Sequence, residues 1–306
     1  MATAAITHPI VEPHNQKLVA ISWLSIILLS SLPNILLQEF HLGSSVWLFR
    51  AKIFLLLLGL FASFVLPLIQ PLRRFFVVFL TLYSAEWAAN WLGNRAEWSH
   101  FFSGTFPRSM LGSQLLKLSV ALLLVSVVLA LTRSRRASFL HLSTPGATAQ
   151  PEWFLPIRRP VPYTRFGPPL ALVIGTGTLA FVLLGEHPSL SQLRLALPLL
   201  PLVLLWSAMN AFSEEYSYRA SLMATIRSAV GNRQALWLTS FFFGVAHFYG
   251  IPYGILGVAM ATCLGYVLGK AMLETEGIFW PWFIHFVQDV VIFVFLAIGA
   301  VSPAGK

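Results

Sequence analysis

The stretch LPLLPLVLLWSAMNAFSEEYSYR, residues 197–219, decides the fold. It is apolar over about the thickness of a membrane and ends with two adjacent acids, Glu214 and Glu215, followed one helical turn later by Arg219. A carboxylate in or near hydrocarbon costs several kcal/mol unless it is paired or hydrated. The stretch therefore predicts a membrane-spanning helix that carries a functional site.

The composition extends this prediction to the whole chain, because 57% of the residues are hydrophobic and only 10% are charged. Lipid excludes unpaired backbone groups, and the leucine-rich runs lack the alternation of barrel strands. We therefore predict an all-α, polytopic transmembrane helical bundle with about eight to nine membrane-spanning helices. The apolar runs that could span lie at 18–37, 46–69, 75–92, 114–132, 168–185, 193–213, 234–249, 252–272 and 278–299.

The net charge of +9 does not predict nucleic-acid binding, because the Lys and Arg residues cluster at the ends of spans and in the loop 133–167. This distribution is typical of residues that fix the orientation of a protein in the membrane. The bilayer is the expected environment, and no nucleic-acid partner is expected. Loops rich in Lys and Arg stay in the cytoplasm, so we predict a cytoplasmic loop and a cytoplasmic N-terminus. We also expect the protein to reside in the plasma membrane. We divide the chain into residues 1–165, with about four helices and the basic loop, and residues 166–306, the motif-bearing core.

Several classes of site are excluded by counting residues. Asp289 is the only aspartate, so a two-aspartate protease is excluded. The H-E-x-x-H string of zinc proteases does not occur in the sequence, so that class is not supported either. A serine protease is also unsupported, because the nearest candidate nucleophile, Ser103, lacks the flanking glycines of such a site and has no assigned general base. Cys263 is the only cysteine, which excludes an internal disulfide or a cysteine cluster, and we interpret it as a small buried apolar residue.

The remaining ionisable residues in the last apolar segments fall into pairs one helical turn apart. Glu215 and Arg219 have the order that favours a helical ion pair, which leaves Glu214 free. The other pairs on one helix face are Phe243 with His247, and His285 with Asp289.

The depth of two of these residues in the membrane can also be compared. Val230-Gly231-Asn232-Arg233 predicts a turn, with Glu214 17 residues before Gly231 and His247 16 residues after it. At 1.5 Å per residue both side chains would lie roughly 25 Å from the turn. We expect them at similar height on antiparallel helices.

These three motifs, in this order within apolar helices, resemble the CPBP family, the glutamic-type intramembrane proteases related to the type II CAAX prenyl endopeptidase. The resemblance covers roughly residues 195–300. It implies an intramembrane endopeptidase in which Glu214 is the general base, supported by Glu215 and Arg219, and in which His247 orients the attacking water. Phe243 supports the site, and His285 with Asp289 would stabilise the oxyanion. The implied substrate is a membrane-bound protein or peptide, either prenylated or not.

Asp289 departs from what an oxyanion site needs, because an ionised aspartate repels a developing negative charge. We expect it to orient His285. As an alternative, Glu214, His247, His285 and Asp289 could bind a metal such as zinc. The favoured interpretation requires no cofactor.

Two other classes of function stay open. A proton-coupled transporter could use the same buried acids and histidines as a relay, although we find no internal repeat. A non-catalytic membrane scaffold or immunity-type protein would keep the fold without needing the acid. Outside the motifs, Glu86 lies beside Trp87 and Trp91, and we interpret it as part of an interfacial aromatic belt.

Overall fold

A computed structural model describes residues 15–43, 46–185 and 187–301 of the chain. Regular structure in these ranges is helical, apart from a two-stranded antiparallel ribbon formed by β1 (Thr148–Ala149) and β2 (Val161–Pro162). The predicted all-α transmembrane bundle is therefore confirmed.

Six of the thirteen α-helices in the described ranges have by themselves the length of a membrane span, and some neighbouring helices are joined by tighter or wider turns. Short 3₁₀ turns cover Gln70–Leu72 and Leu197–Leu199, and a π-helical turn covers Tyr216–Ala220. The α-helices are, in chain order, α1 (Gln16–Leu29), α2 (Leu32–Glu39), α3 (Val46–Val65), α4 (Arg73–Gly93), α5 (Ala96–Phe102), α6 (Phe106–Thr132), α7 (Tyr163–Gly185), α8 (Leu190–Ala196), α9 (Leu200–Glu215), α10 (Ser221–Val230), α11 (Asn232–Val245), α12 (Ile255–Thr275) and α13 (Phe279–Val301).

Within the described residues, seven helical segments are long and apolar enough to cross a membrane, or eight if the bent pair α1 and α2 forms one span. One segment, Leu190–Val230, runs for 41 residues and extends well beyond the predicted span 193–213. The predicted span 234–249 differs, because α11 has only 14 residues and about 17 are needed to cross hydrocarbon. Residues 1–14, to which the predicted N-terminal orientation refers, lie outside the described residues.

The first span is broken inside the bundle, where α1 and α2 meet at an angle of 45°. The break leaves helix carbonyls at the end of α1 without intrahelical partners. The buried Lys52 ammonium on α3 donates to the Ser30 carbonyl at 2.6 Å and to Asn34 Oδ1 at 2.5 Å. A cation at the C-terminal end of a helix is also favoured by the helix dipole.

The turn predicted at residues 230–233 joins α10 to α11, and Gly231 has a φ of 81° there. From this turn α11 packs closely against α12. A Cβ at Gly244 would lie 1.9 Å from Thr262 Oγ1, so only glycine permits this approach. The close contact fixes the height of the C-terminal end of α11, which is the end nearest the site.

The basic loop after α6 is attached to the turn between α12 and α13. Backbone hydrogen bonds run from Thr144 to the Thr275 carbonyl at 2.8 Å and from Ile278 to the His141 carbonyl at 3.0 Å. Arg136 forms an ion pair with Glu276 at the same end. These contacts keep the basic loop on one face of the bundle, as a topology-determining loop requires.

The N-terminal helices pack directly onto the motif-bearing helices. One apolar cluster contains buried residues from α4, α6, α10 and α11, and the Phe79 and Phe242 rings meet edge to face at 5.2 Å. The domain boundary at 165 and 166 stays a prediction. The expected burial of Cys263 is wrong, because its side chain is exposed on α12, where the surrounding apolar surface faces outward.

Candidate active site

The two adjacent glutamates end α9, and the π-helical turn Tyr216–Ala220 follows at once. Such wide turns inside helices frequently mark functional sites. Successive residues of a helix point about 100° apart, so the two carboxylates face different surroundings. The Glu215 side chain is fully buried, whereas 14% of the Glu214 side chain is exposed.

Glu215 forms the ion pair with Arg219 that the spacing predicts, and both side chains are fully buried. The Arg219 guanidinium also lies over the Phe243 ring, 4.8 Å from its centroid. A desolvated cation gains from such contact with an aromatic face. Phe243 therefore supports the pair from α11.

His285 connects this pair to α13, since its Nδ1 donates to Glu215 Oε1 at 2.9 Å. Trp282, almost one turn earlier on α13, donates from Nε1 to the Ala208 carbonyl on α9 at 3.0 Å. This second bond fixes how α13 lies along α9. With Nδ1 engaged, Nε2 is the nitrogen of His285 that faces the rest of the site.

His247 lies just beyond the C-terminal end of α11. Its Nδ1 lies 2.8 Å from the Phe243 carbonyl oxygen, and because a carbonyl only accepts, Nδ1 carries the proton. The bond also satisfies a carbonyl that the end of the helix leaves without a backbone partner. The His247 ring lies 4.4 Å from the Phe243 ring, centroid to centroid, and Phe243 in turn lies 6.0 Å from the His285 ring, which adjoins Glu214. Glu214 and His247 thus belong to one group of side chains, and their similar height in the membrane stays a prediction.

Glu214 is held through one of its two oxygens. Its Oε1 accepts hydrogen bonds from Lys117 Nζ and from Asn210 Nδ2, both at 3.1 Å. Its Oε2 lies 3.8 Å from His285 Nε2, which is longer than a hydrogen bond. The expectation that Glu214 is free is therefore wrong, because a lysine from α6 reaches it.

Asp289 lies at the same place from the α13 side. Its Oδ2 accepts from Asn210 Nδ2 at 3.0 Å, and its Oδ1 lies 3.6 Å from His285 Nε2. His285 is thus close to three carboxylates, those of Glu214, Glu215 and Asp289. In the part of the chain that the structure describes, no group of three or more His, Cys, Asp or Glu side chains is arranged to hold a metal ion.

A cavity of about 650 Å³ opens between α4, α6 and α9 and reaches Glu214. Polar side chains predominate in its lining, among them Glu86, Asn90, Ser113, Lys117 and Tyr218. A hydrolytic carboxylate needs water, and a polar cavity of this size holds many water molecules. The exposed edge of Glu214 therefore faces a route by which water can arrive.

The structure brings all seven residues that the sequence singled out into one region: Glu214, Glu215, Arg219, Phe243, His247, His285 and Asp289. Sequence reasoning missed Lys117 and Asn210. A lone charge inside the apolar run of α6, and an amide one turn before Glu214, were the available signals.

The interpretation of Glu86 as part of an aromatic belt is wrong. Trp87 and Trp91 are exposed, as a belt requires, but Glu86 turns inward and accepts a hydrogen bond from Tyr218 at 2.9 Å. It also lines the cavity that reaches Glu214. The helix α4 thus has one lipid-facing aromatic side and one polar side that belongs to the site.

Comparison with known proteins agrees with the motifs. Residues 196–291 match the family described as type II CAAX prenyl endopeptidase Rce1-like. The resemblance predicted from the sequence is thereby confirmed, and the matched segment holds every motif residue from Glu214 to Asp289. No curated protein and no solved structure matches the chain. Lys117 and α1 to α7 lie outside the matched residues.

Proposed function

We propose that this chain, with its type II CAAX prenyl endopeptidase Rce1-like segment, is an intramembrane endopeptidase that uses Glu214 to activate water. The family match indicates a CAAX-type protease of membrane-bound proteins, and the finer mechanism rests on the geometry. One observation carries it: the Glu214 carboxylate borders a polar cavity and lies 3.8 Å from His285 Nε2, in a group of side chains that also includes His247.

In the first step, Glu214 removes a proton from water while the water oxygen attacks the carbonyl carbon of the substrate. Oε2 is the basic oxygen, since Oε1 already accepts from Lys117 and Asn210. His247 orients the water. Its Nδ1 is bound to the Phe243 carbonyl, so its Nε2 is available to hydrogen-bond to the water. General-base assistance of this kind contributes about 10²- to 10⁴-fold to a rate.

In the second step, the tetrahedral oxyanion is stabilised and then collapses. His285, in its protonated form, donates from Nε2 to the oxyanion, while Glu215 holds Nδ1. The C–N bond breaks, and Glu214 passes its proton to the leaving amine. The products are a new carboxylic acid and a new amine, and no group on the protein is consumed.

Asp289 has a supporting role in this scheme. Its carboxylate lies near His285 Nε2 and is held by the Asn210 amide, so it orients the imidazole and favours its protonated form. The substrate is a membrane-bound protein or peptide, and both prenylated and unprenylated substrates fit the proposal. The helices that can span a membrane place the site within the lipid bilayer, where such a substrate is found.

A termini comparison tests the proposal and also finds the substrate. Membrane proteins from cells with the intact chain and from cells with Glu214→Gln are compared by mass spectrometry, at equal abundance of the two proteins. We expect specific new termini only with the intact chain, because the amide keeps the shape of the side chain but cannot accept the proton. Identical profiles would contradict the proposal and favour a scaffold or a transporter.

A further inference from the structure

Lys117 is a charged residue of the site that lies outside the family match and that contacts Glu214 directly. It lies in α6, and its Nζ donates to Asn210 Oδ1 at 2.7 Å and to Glu214 Oε1 at 3.1 Å. Its side chain is 45% exposed and borders the cavity. A long lysine side chain fixed by two polar contacts inside a membrane bundle has lost conformational freedom, so the contacts must offset that loss.

Asn210 completes the arrangement from the other side. Its carbonyl accepts from Lys117, and its amide donates both to Glu214 Oε1 and to Asp289 Oδ2. One oxygen of Glu214 therefore receives two donors. The other oxygen faces His285 Nε2 from 3.8 Å, which leaves it without a hydrogen bond from that side chain.

The charges of the site also favour a role for Lys117. Glu214, Glu215 and Asp289 bring three carboxylates together, whereas the matched segment supplies one paired guanidinium, that of Arg219. Closely spaced carboxylates resist simultaneous ionisation unless cations are near. Lys117 supplies a further cation beside Arg219 and the protonated His285 of the proposed mechanism, and it lies at hydrogen-bond distance from the carboxylate that must act as a base.

We infer that Lys117 is a positioning residue of the hydrolytic site: together with Asn210 it holds Glu214 through Oε1 and thereby directs Oε2 toward the attacking water. This inference rests on the proposed function of Glu214. It extends the working site beyond residues 196–291 and gives α6 a part in the reaction.

The test measures cleavage kinetics in liposomes that contain the purified full chain. The probe is a synthetic peptide that spans the cleavage junction found in the termini comparison. We expect Lys117→Met to lower kcat about 10- to 100-fold with little change in KM, because a shift of about 1 Å in a reacting group is enough for such a loss. Lys117→Arg should recover most of kcat, since a guanidinium can reach both acceptors.

Arg108→Met is the matched control, because Arg108 is an exposed cation on the same helix α6, away from the site. It should keep the kcat of the intact chain. Melting of the detergent-solubilised proteins separates positioning from folding, and Lys117→Met should melt like Arg108→Met.

Two results would overturn the inference while the proposed function stands. One is an equal kcat for Lys117→Met and Arg108→Met, with Glu214→Gln inactive. The other is a loss of kcat that follows a lowered melting temperature and that Lys117→Arg does not restore. If Glu214→Gln cleaves as fast as the intact chain, or if the intact chain yields no junction, the proposed function itself fails and the inference with it.

Discussion

Two halves of the site contain adjacent glutamates in opposite settings. The sealed half consists of Glu215, Arg219 and Phe243, and its two charged side chains are fully buried. The open half consists of Glu214, Lys117 and Asn210, and it borders a cavity of about 650 Å³. Adjacent carboxylates in the chain thus have different roles because different side chains surround them. Those surrounding side chains decide whether a carboxylate stabilises the structure or is accessible to water.

The origin of the partners also differs between the halves. The sealed half is built entirely within the matched residues 196–291, from an i, i+4 pair and a ring on α11. The open half is completed by Lys117 from a helix outside that segment. We therefore expect changes in the sealed half to affect folding and changes in the open half to affect turnover.

The largest effect should come from removing the buried cation of the sealed half. Arg219→Met leaves the Glu215 carboxylate buried without its guanidinium, and breaking such a pair costs about 3–5 kcal/mol. We expect a strong loss of folded protein, measured as the melting temperature and the monodisperse fraction in detergent.

The matched control for this change neutralises both charges. In Glu215→Gln combined with Arg219→Met no uncompensated charge remains, and the glutamine carbonyl can still accept from His285. The double variant should therefore melt above Arg219→Met. A single variant that melts like the intact chain would contradict the structural role of the sealed half.

A smaller effect, on turnover alone, is expected from His247. Its replacement by alanine removes the group that orients the water, and the misplaced water should lower kcat about 100-fold. His100→Ala, an exposed histidine on α5, is the control and should keep full activity. Unchanged kcat in His247→Ala would remove this residue from the reaction scheme.

The smallest effect should come from chelators. The proposed mechanism uses a carboxylate and two histidines without a metal, so incubation with EDTA or 1,10-phenanthroline followed by removal of the chelator should leave kcat unchanged. A loss of activity that added zinc restores would instead support the alternative in which Glu214, His247, His285 and Asp289 bind a metal.

The sequence was sufficient for those parts of the site that depend on local spacing. The Glu215 and Arg219 pair follows from a spacing of one helical turn. The similar height of Glu214 and His247, expected from distances of 17 and 16 residues to Gly231, stays a prediction. Spans were predicted from apolar runs, and their helical nature from the chemistry of lipid.

Helix packing set the limit of prediction. No periodicity shows that Lys117 on α6 lies against Glu214 on α9, because the two residues are 97 positions apart. The break between α1 and α2 depends in the same way on Lys52 from α3, which binds the Ser30 carbonyl. Glu86 was assigned to the wrong side of α4 because the tryptophans beside it in the sequence are typical of a membrane interface. Its hydrogen bond to Tyr218, 132 positions away, depends on helix packing.

The most direct test of the central claim compares the two adjacent glutamates in purified protein. Glu214→Gln and Glu215→Gln are reconstituted in liposomes, and junction-peptide cleavage is measured per folded molecule beside each melting temperature. We expect Glu214→Gln to melt like the intact chain and to lose about 10³-fold in kcat, within the range for a general base. Cleavage by Glu214→Gln at the rate of the intact chain would contradict the central claim.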